Sequence, residues 1–139
     1  MNIILYLLSL ILSVSLTNIA QSANYEHGVW EGKIEGSLAA CEFMKEDIRA
    51  VVSENEVIVF LNDGWGKEYQ ISGSIVESGE LLSDYFMWKA PTIIGPRSLK
   101  HKISGRFNKT TFKGVLRPGA HGCHARINLQ LKECWLQHN

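Results

Sequence analysis

Charged side chains are missing from the first 23 residues of this 139-residue chain. An almost unbroken apolar run over 3–16 is followed by small and polar residues through 17–23. This order is typical of a secretory signal cleaved near Ala23, and the run is shorter than the roughly 20 apolar residues of a spanning helix. We predict a signal peptide over 1–23, one domain over 24–139, a secreted or periplasmic location and no membrane span after cleavage.

Cysteine is scarce, with three in the whole chain, so at most one internal disulfide forms and one thiol is left over. Export permits such a bridge. We predict that Cys41 pairs with Cys123, which joins the segment after the first predicted strand to the last strand. Cys134 follows the last regular strand pattern and is the predicted free thiol.

Recognisable catalytic motifs are also lacking: there is no nucleophile elbow, no phosphate-binding glycine loop and no paired zinc-ligand spacing. The segment His121-Gly122-Cys123-His124 clusters three potential metal ligands, but a fourth ligand is missing and the predicted disulfide consumes Cys123. We therefore expect a protein that is not an enzyme and holds neither cofactor nor metal.

Carboxylates are absent from residues 89–132, which hold ten basic side chains. Residues 24–88 hold 13 acidic and 4 basic side chains, although the formal net charge of the whole chain is zero. Such a separation of charge favours an anionic partner for the basic half, either an envelope component or an acidic protein. Nucleic acid is not an expected partner for an exported chain.

Helical periodicity does not extend over a long stretch anywhere in the sequence. Alternating apolar and polar residues, in contrast, recur between turn signals. Eight strands are predicted, at 28–36, 47–53, 56–62, 67–76, 80–88, the two arms of 101–117, and 123–132. The fold class is therefore all-β, an eight-stranded antiparallel up-and-down meander. Closure into a small barrel removes its exposed edges and places Glu31 and Glu35 beside Arg126 and Lys132. A β-sandwich is the alternative.

The sequence over 101–117 predicts a hairpin centred on Lys109 and Thr110, with a four-residue connection over 108–111. This register sets Phe107 opposite Phe112 on an apolar face and leaves cations on the other face. We call these cations the basic face; its members are Lys100, Lys102, Arg106, Lys109, Lys113 and Arg117.

Other side chains are assigned by alternation or by neighbouring turn residues. The predicted barrel interior contains Trp30, Tyr69, Phe107 and Phe112, and His101 is interpreted as a core histidine. Pro91 and Pro96 bracket a loop whose apolar residues Ile93 and Ile94 either contact a partner or plug one end of the barrel.

Gly28-Val29-Trp30, at the start of the first predicted strand, resembles the G-x-W start of calycin-type barrels. This group includes lipocalins, avidin-like proteins and small periplasmic barrel inhibitors of proteases. In lipocalins a basic residue of the last strand packs over that tryptophan, and Arg126 is the positional candidate, although alternation points it outward. The resemblance implies a fold more than a function.

We expect a non-enzymatic binding or inhibitory module that acts through the basic face, the 89–98 loop, or both. The alternative is a carrier that holds a small apolar ligand inside the barrel, and this function requires an open interior.

Overall fold

The computed structural model describes residues 25–37, 41, 44–62, 66–90, 92, 94–95, 97–120 and 122–135. The predicted signal peptide over 1–23 lies outside these residues. Strands dominate the described chain: β1 (Gly28–Gly36), β2 (Lys45–Ser53), β3 (Glu56–Asn62), β4 (Glu68–Ile75), β5 (Glu80–Ser83), β6 (Phe86–Ala90), β7 (Arg97–Asn108), β8 (Thr111–Pro118) and β9 (Ala125–Cys134).

The nine strands form one antiparallel sheet in the order β5-β4-β3-β2-β1-β9-β8-β7-β6, and an additional β5–β7 pairing closes it. The result is an eight-stranded barrel with β6 as an extra strand, which confirms the predicted all-β closed meander; the β-sandwich alternative is wrong. Where β1 meets β9, Glu35 lies opposite Arg126 as expected, whereas Glu31 lies opposite Gln130.

The predicted fifth strand over 80–88 is interrupted. Leu81 pairs with Gly105 and Phe86 with His101, so the β5–β6 segment carries one residue more than the stretch of β7 that it faces. At the interruption, the Ser83 hydroxyl donates a hydrogen bond to the Ile103 carbonyl at 2.7 Å and satisfies that buried acceptor. This bulge turns β6 away from β4, and the sequence pattern did not reveal it.

The predicted hairpin register is confirmed, with Phe107 opposite Phe112 and Ile103 opposite Leu116. Its connection is shorter than predicted, because Asn108 already pairs with Thr111 and leaves a two-residue turn. Within that turn Lys109 has a φ of 49°, in the left-handed region. The first arm is also longer than predicted, since β7 begins at Arg97.

The barrel core consists of the inward residues of all nine strands, with Trp30, Trp88, Phe107 and Phe112 as its largest buried side chains. Tyr25, just before β1, covers the end of the barrel near the β7–β8 turn. Its ring centroid lies 6.0 Å from that of Phe107, and its hydroxyl donates a hydrogen bond to the Glu54 carbonyl at 3.1 Å.

The predicted disulfide between Cys41 and Cys123 is present and spans 82 residues of sequence. Cys134 is free and exposed, but it is the last residue of β9 rather than a residue beyond the strand. Its thiol donates a hydrogen bond to the Glu26 carboxylate at 3.6 Å. Desolvation and this carboxylate together raise the pKa of the Cys134 thiol, which disfavours the reactive thiolate.

Candidate functional site

The basic face lies on the outer surface of two neighbouring strands and their turn. Lys100, Lys102 and Arg106 alternate with inward residues of β7, while Lys113 and Arg117 do the same on β8. Lys109 occupies the turn between the strands. Arg126, on β9, lies opposite Val115 of β8 and extends the cationic surface by one strand.

Within the basic face, cations lie directly opposite cations. Arg106 is paired in register with Lys113, and Lys102 with Arg117. Directly opposed side chains have their Cβ atoms only about 4.5–5.5 Å apart, and like charges at this spacing destabilise a sheet. The arrangement therefore has an electrostatic cost to the fold that a bound anion would remove.

Ion pairs with carboxylates do not neutralise these six cations in the described part of the chain. The ion pairs of the described residues join Lys33 to Asp47, and Arg49 to Glu68 at 4.0 Å, on β1–β4. Glu80 lies opposite Arg106 at the border of the basic face. Yet no carboxylate in the described part of the chain forms an ion pair with any member of the face.

Tyr85 belongs to this surface, and sequence reasoning missed it. Its ring centroid lies 5.0 Å from Lys100 Nζ and 5.5 Å from Lys102 Nζ, within cation–π range of both. Tyr85 sits in the bulge between β5 and β6, where strict alternation fails. The alternation of residues in the predicted strand over 80–88 therefore could not predict the orientation of Tyr85.

A groove of about 550 Å³ adjoins the basic face on the outer surface, next to the bulge. It is lined by Leu82 and Asp84 beside Lys102 and Ser104. A second outer groove, of about 630 Å³, crosses β9 and β1–β4 and is lined by residues of both signs, including the ion-paired Lys33 and Asp47. The groove beside Lys102 thus brings apolar side chains and a cation of the basic face together.

The inward aromatic residues contact one another. The rings of Trp30 and Phe107 meet edge to face with centroids 5.0 Å apart, and Phe107 and Phe112 are 4.5 Å apart. Tyr69 faces inward too but is only partly buried. These side chains fill the space between them by direct ring packing. Arg126 is exposed on the outer surface, as its alternation predicted, so it does not pack over Trp30 as the basic residue of lipocalins does.

His101 is a fully buried member of this interior, as interpreted from its sequence position. Its Nδ1 lies 3.1 Å from the Leu99 carbonyl, while Nε2 has no hydrogen-bond partner among the described residues. Burial lowers the pKa of His101 below its ordinary 6.5, and the hydrogen bond to Leu99 opposes that shift in part. Burial therefore favours the neutral imidazole over the charged one.

This depressed pKa gives a prediction about stability. Below about pH 6.5 His101 binds a proton more readily in the unfolded chain than in the folded chain. The unfolding free energy therefore decreases as the pH falls. A His101→Phe variant lacks this proton uptake. We expect the wild type to lose stability relative to the variant as the pH falls from about 7 to about 5. The unfolding free energy of the wild type minus that of the variant therefore becomes smaller or more negative, as urea titrations at each pH measure. A pH-independent difference would contradict the assignment.

The proline-bracketed loop presents Ile94 to solvent, with 72% of its surface exposed. Ile94 therefore does not plug the barrel, and this alternative is wrong for that residue. A hydrogen bond from the Gly95 amide to the Thr92 carbonyl at 3.0 Å forms a tight turn here. The other predicted contact residue, Ile93, lies outside the described residues.

Among the described residues no group of three or more potential ligands is arranged to hold a metal ion. Cys123 is bound to Cys41, His124 is exposed, and His121 is not described. No helix in the described ranges is long and apolar enough to cross a membrane. Comparisons of the chain with models of protein families, with curated proteins and with solved structures find no match.

Proposed function

We propose that this chain is an exported, non-enzymatic binding or inhibitory module that captures an anionic partner through the basic face. The observation that carries the proposal is the two pairs of directly opposed cations, Arg106 with Lys113 and Lys102 with Arg117. Opposite charges at these positions would stabilise the sheet, whereas like charges destabilise it. An anion bridging the two strands relieves the repulsion, so binding and fold stability act in the same direction.

Export is supported by the disulfide between Cys41 and Cys123, which is typical of a non-reducing compartment, and by the uncharged first 23 residues. Membership of the calycin-type barrels belongs to the same proposal. Its support is the closed eight-stranded meander together with Gly28-Val29-Trp30 at the start of β1. We place the protein in the periplasm or outside the cell.

The surface is a better candidate than the interior for this binding. A carrier needs space between Trp30, Phe107 and Phe112, and the rings of these residues are in direct contact. The basic face lies on the outer surface, where five of its six members are exposed and Lys102 is half-buried. The exposed Ile94 supplies an apolar contact on the loop after β6, a feature that suits an inhibitory module with a second point of attachment.

Charge reversal tests the proposal. We expect the variant Lys102→Glu, Arg106→Glu, Lys113→Glu to bind a soluble polyanion, dextran sulfate, at least about tenfold more weakly than the wild type at low salt. The salt dependence of its binding should also be flatter, because fewer counterions are displaced. Binding isotherms over a salt series measure both quantities.

The matched control is Lys45→Glu, Arg49→Glu, Lys67→Glu, which changes the net charge equally but lies on or beside β2 and β4. At about 0.15 M salt it should retain polyanion binding within about threefold, because the Debye length of about 8 Å is shorter than the three strand spacings that separate β2 from β8. Unchanged capture by the basic-face variant would overturn the proposal. So would an equal loss in both variants, because net charge alone would then explain binding.

A further inference from the structure

We infer that the anionic partner is a lipid bilayer surface, on which the barrel docks through a row of exposed apolar side chains beside the basic face. This inference rests on the proposed function and names its partner class. We call Leu82, Tyr85 and Met87 the apolar row. They are 51%, 52% and 56% exposed, and they follow one another along the outer surface of β5, the bulge and β6.

The apolar row is contiguous with the cations. Met87 lies opposite Lys100 in the β6–β7 ladder, and the Tyr85 ring contacts both Lys100 and Lys102. Leu82 shares the walls of the 550 Å³ groove with Lys102. Isolated exposed hydrophobic residues are normal on a protein, but a row of three along a cationic strand marks an interaction surface.

A partner that covers both the basic face and the apolar row must supply anionic groups to the first and apolar groups to the second. A polysaccharide or an acidic polypeptide satisfies the cations, but it leaves Leu82 and Met87 in water. A bilayer supplies phosphates at the level of the headgroups and hydrocarbon directly below them. Lysine and tyrosine suit that boundary, because each has an apolar body and a polar tip.

Two carboxylates lie next to the apolar row, and each has a cation beside it. Glu80 is opposite Arg106 in the β5–β7 pairing, and Asp84 lines the groove that contains Lys102. The other strand carboxylates are on β1–β4 and β9; those on the outer surface include Glu31, Glu35, Asp47, Glu56 and Glu68. Repulsion of this acidic side by an anionic bilayer orients the barrel with the basic face toward the lipid.

Ile94 is a further exposed apolar side chain, four residues beyond the end of β6. It lies in the turn after β6 and has the largest exposed fraction among the exposed large hydrophobic residues of the described chain. Because β6 leads from the apolar row to this turn, a barrel lying on its β6–β7 side brings Ile94 toward the same boundary. The cations attract the barrel to the surface, and the apolar side chains hold it there.

Vesicle partitioning tests the inference with the full-length mature protein. We expect co-sedimentation with vesicles of phosphatidylglycerol mixed with phosphatidylcholine, and little with phosphatidylcholine alone. The variant Leu82→Thr, Met87→Thr should lose about tenfold in partitioning to the anionic vesicles and bind dextran sulfate like the wild type. Threonine suits a strand, so the fold is retained, as thermal melting checks.

The matched control is Ile58→Thr, Trp135→Thr, which removes two exposed apolar residues, 39% and 40% exposed, that lie on β3 and directly after β9. It should partition like the wild type. A second readout places an environment-sensitive NBD label at Met87→Cys in a Cys134→Ser background. Its emission should shift to the blue on anionic vesicles, and a label at Ile58→Cys should not respond.

The outcomes separate this inference from the proposed function. Wild-type partitioning by the apolar-row variant, or an unshifted label at position 87, overturns lipid docking and leaves polyanion capture intact. Capture of dextran sulfate without any vesicle binding also overturns lipid docking and leaves polyanion capture intact. The partner would then be a polysaccharide or an acidic protein. Failure to bind either probe overturns the lipid inference and the proposed function together.

Discussion

Replacing Gly32 with alanine is expected to destabilise the barrel by about 3 kcal/mol. Gly32 lies on β1, where this strand passes so close to β9 that a Cβ would overlap the Asn128 carbonyl oxygen and approach Leu129 Cα. Both neighbours are backbone atoms in a ladder and do not rotate away as a side chain would. The strands must separate, which breaks hydrogen bonds of the β1–β9 ladder.

Urea unfolding measures this loss, and Gly119→Ala is the matched control. A Cβ at Gly119 meets only the Lys100 side chain and carbonyl, at 3.3 Å or more. That variant should change the unfolding free energy by no more than about 1 kcal/mol, because alanine also restricts the unfolded chain. If Gly32→Ala unfolds at the wild-type urea concentration, the close approach of β1 to β9 is wrong.

Removing the disulfide is expected to cost on the order of 4 kcal/mol of unfolding free energy. The bridge from Cys41 to Cys123 closes a loop across 82 residues of sequence, so its loss gives the unfolded chain many more conformations. It also ties the segment before β2 to the segment before β9 at one end of the barrel. The variant to compare with the wild type is Cys41→Ser, Cys123→Ser, by urea unfolding without reductant.

Cys134→Ser supplies the control for this experiment, because Cys134 is exposed and unbridged. Its unfolding free energy should stay within about 0.5 kcal/mol of the wild type. Reduced wild-type protein should match the double variant. Equal stability of the double variant and the wild type would show that the bridge does not constrain the unfolded chain.

Local sequence patterns predicted much of this fold. The hairpin register followed from residues of equal type set symmetrically about Lys109 and Thr110, notably Phe107 with Phe112. The glycine pair inside it, Gly105 opposite Gly114, leaves room for the Phe112 ring, whose nearest atom would be 2.6 Å from a Cβ at Gly105. The same alternation predicted the outward cations, because a strand has only two faces.

Features that depend on contacts between distant segments were not predictable in this way. The bulge that splits β5 from β6 is fixed by the Ser83 hydroxyl, which reaches the Ile103 carbonyl on another strand. Nothing in the residues 80–88 alone marks this bond. Tyr85 and the apolar row depend on the bulge, so they were missed. The solvent exposure of Ile94 likewise depends on the turn at Gly95.

The pairing of β1 with β9 also fixes when folding can finish. β9 is the last strand to emerge from a ribosome or an export channel, and β1 is the first. Until then the growing sheet has two free edges, at β1 and at whichever strand emerged most recently. Such edges invite pairing with other chains, so this barrel has to be kept apart from its neighbours until it is complete.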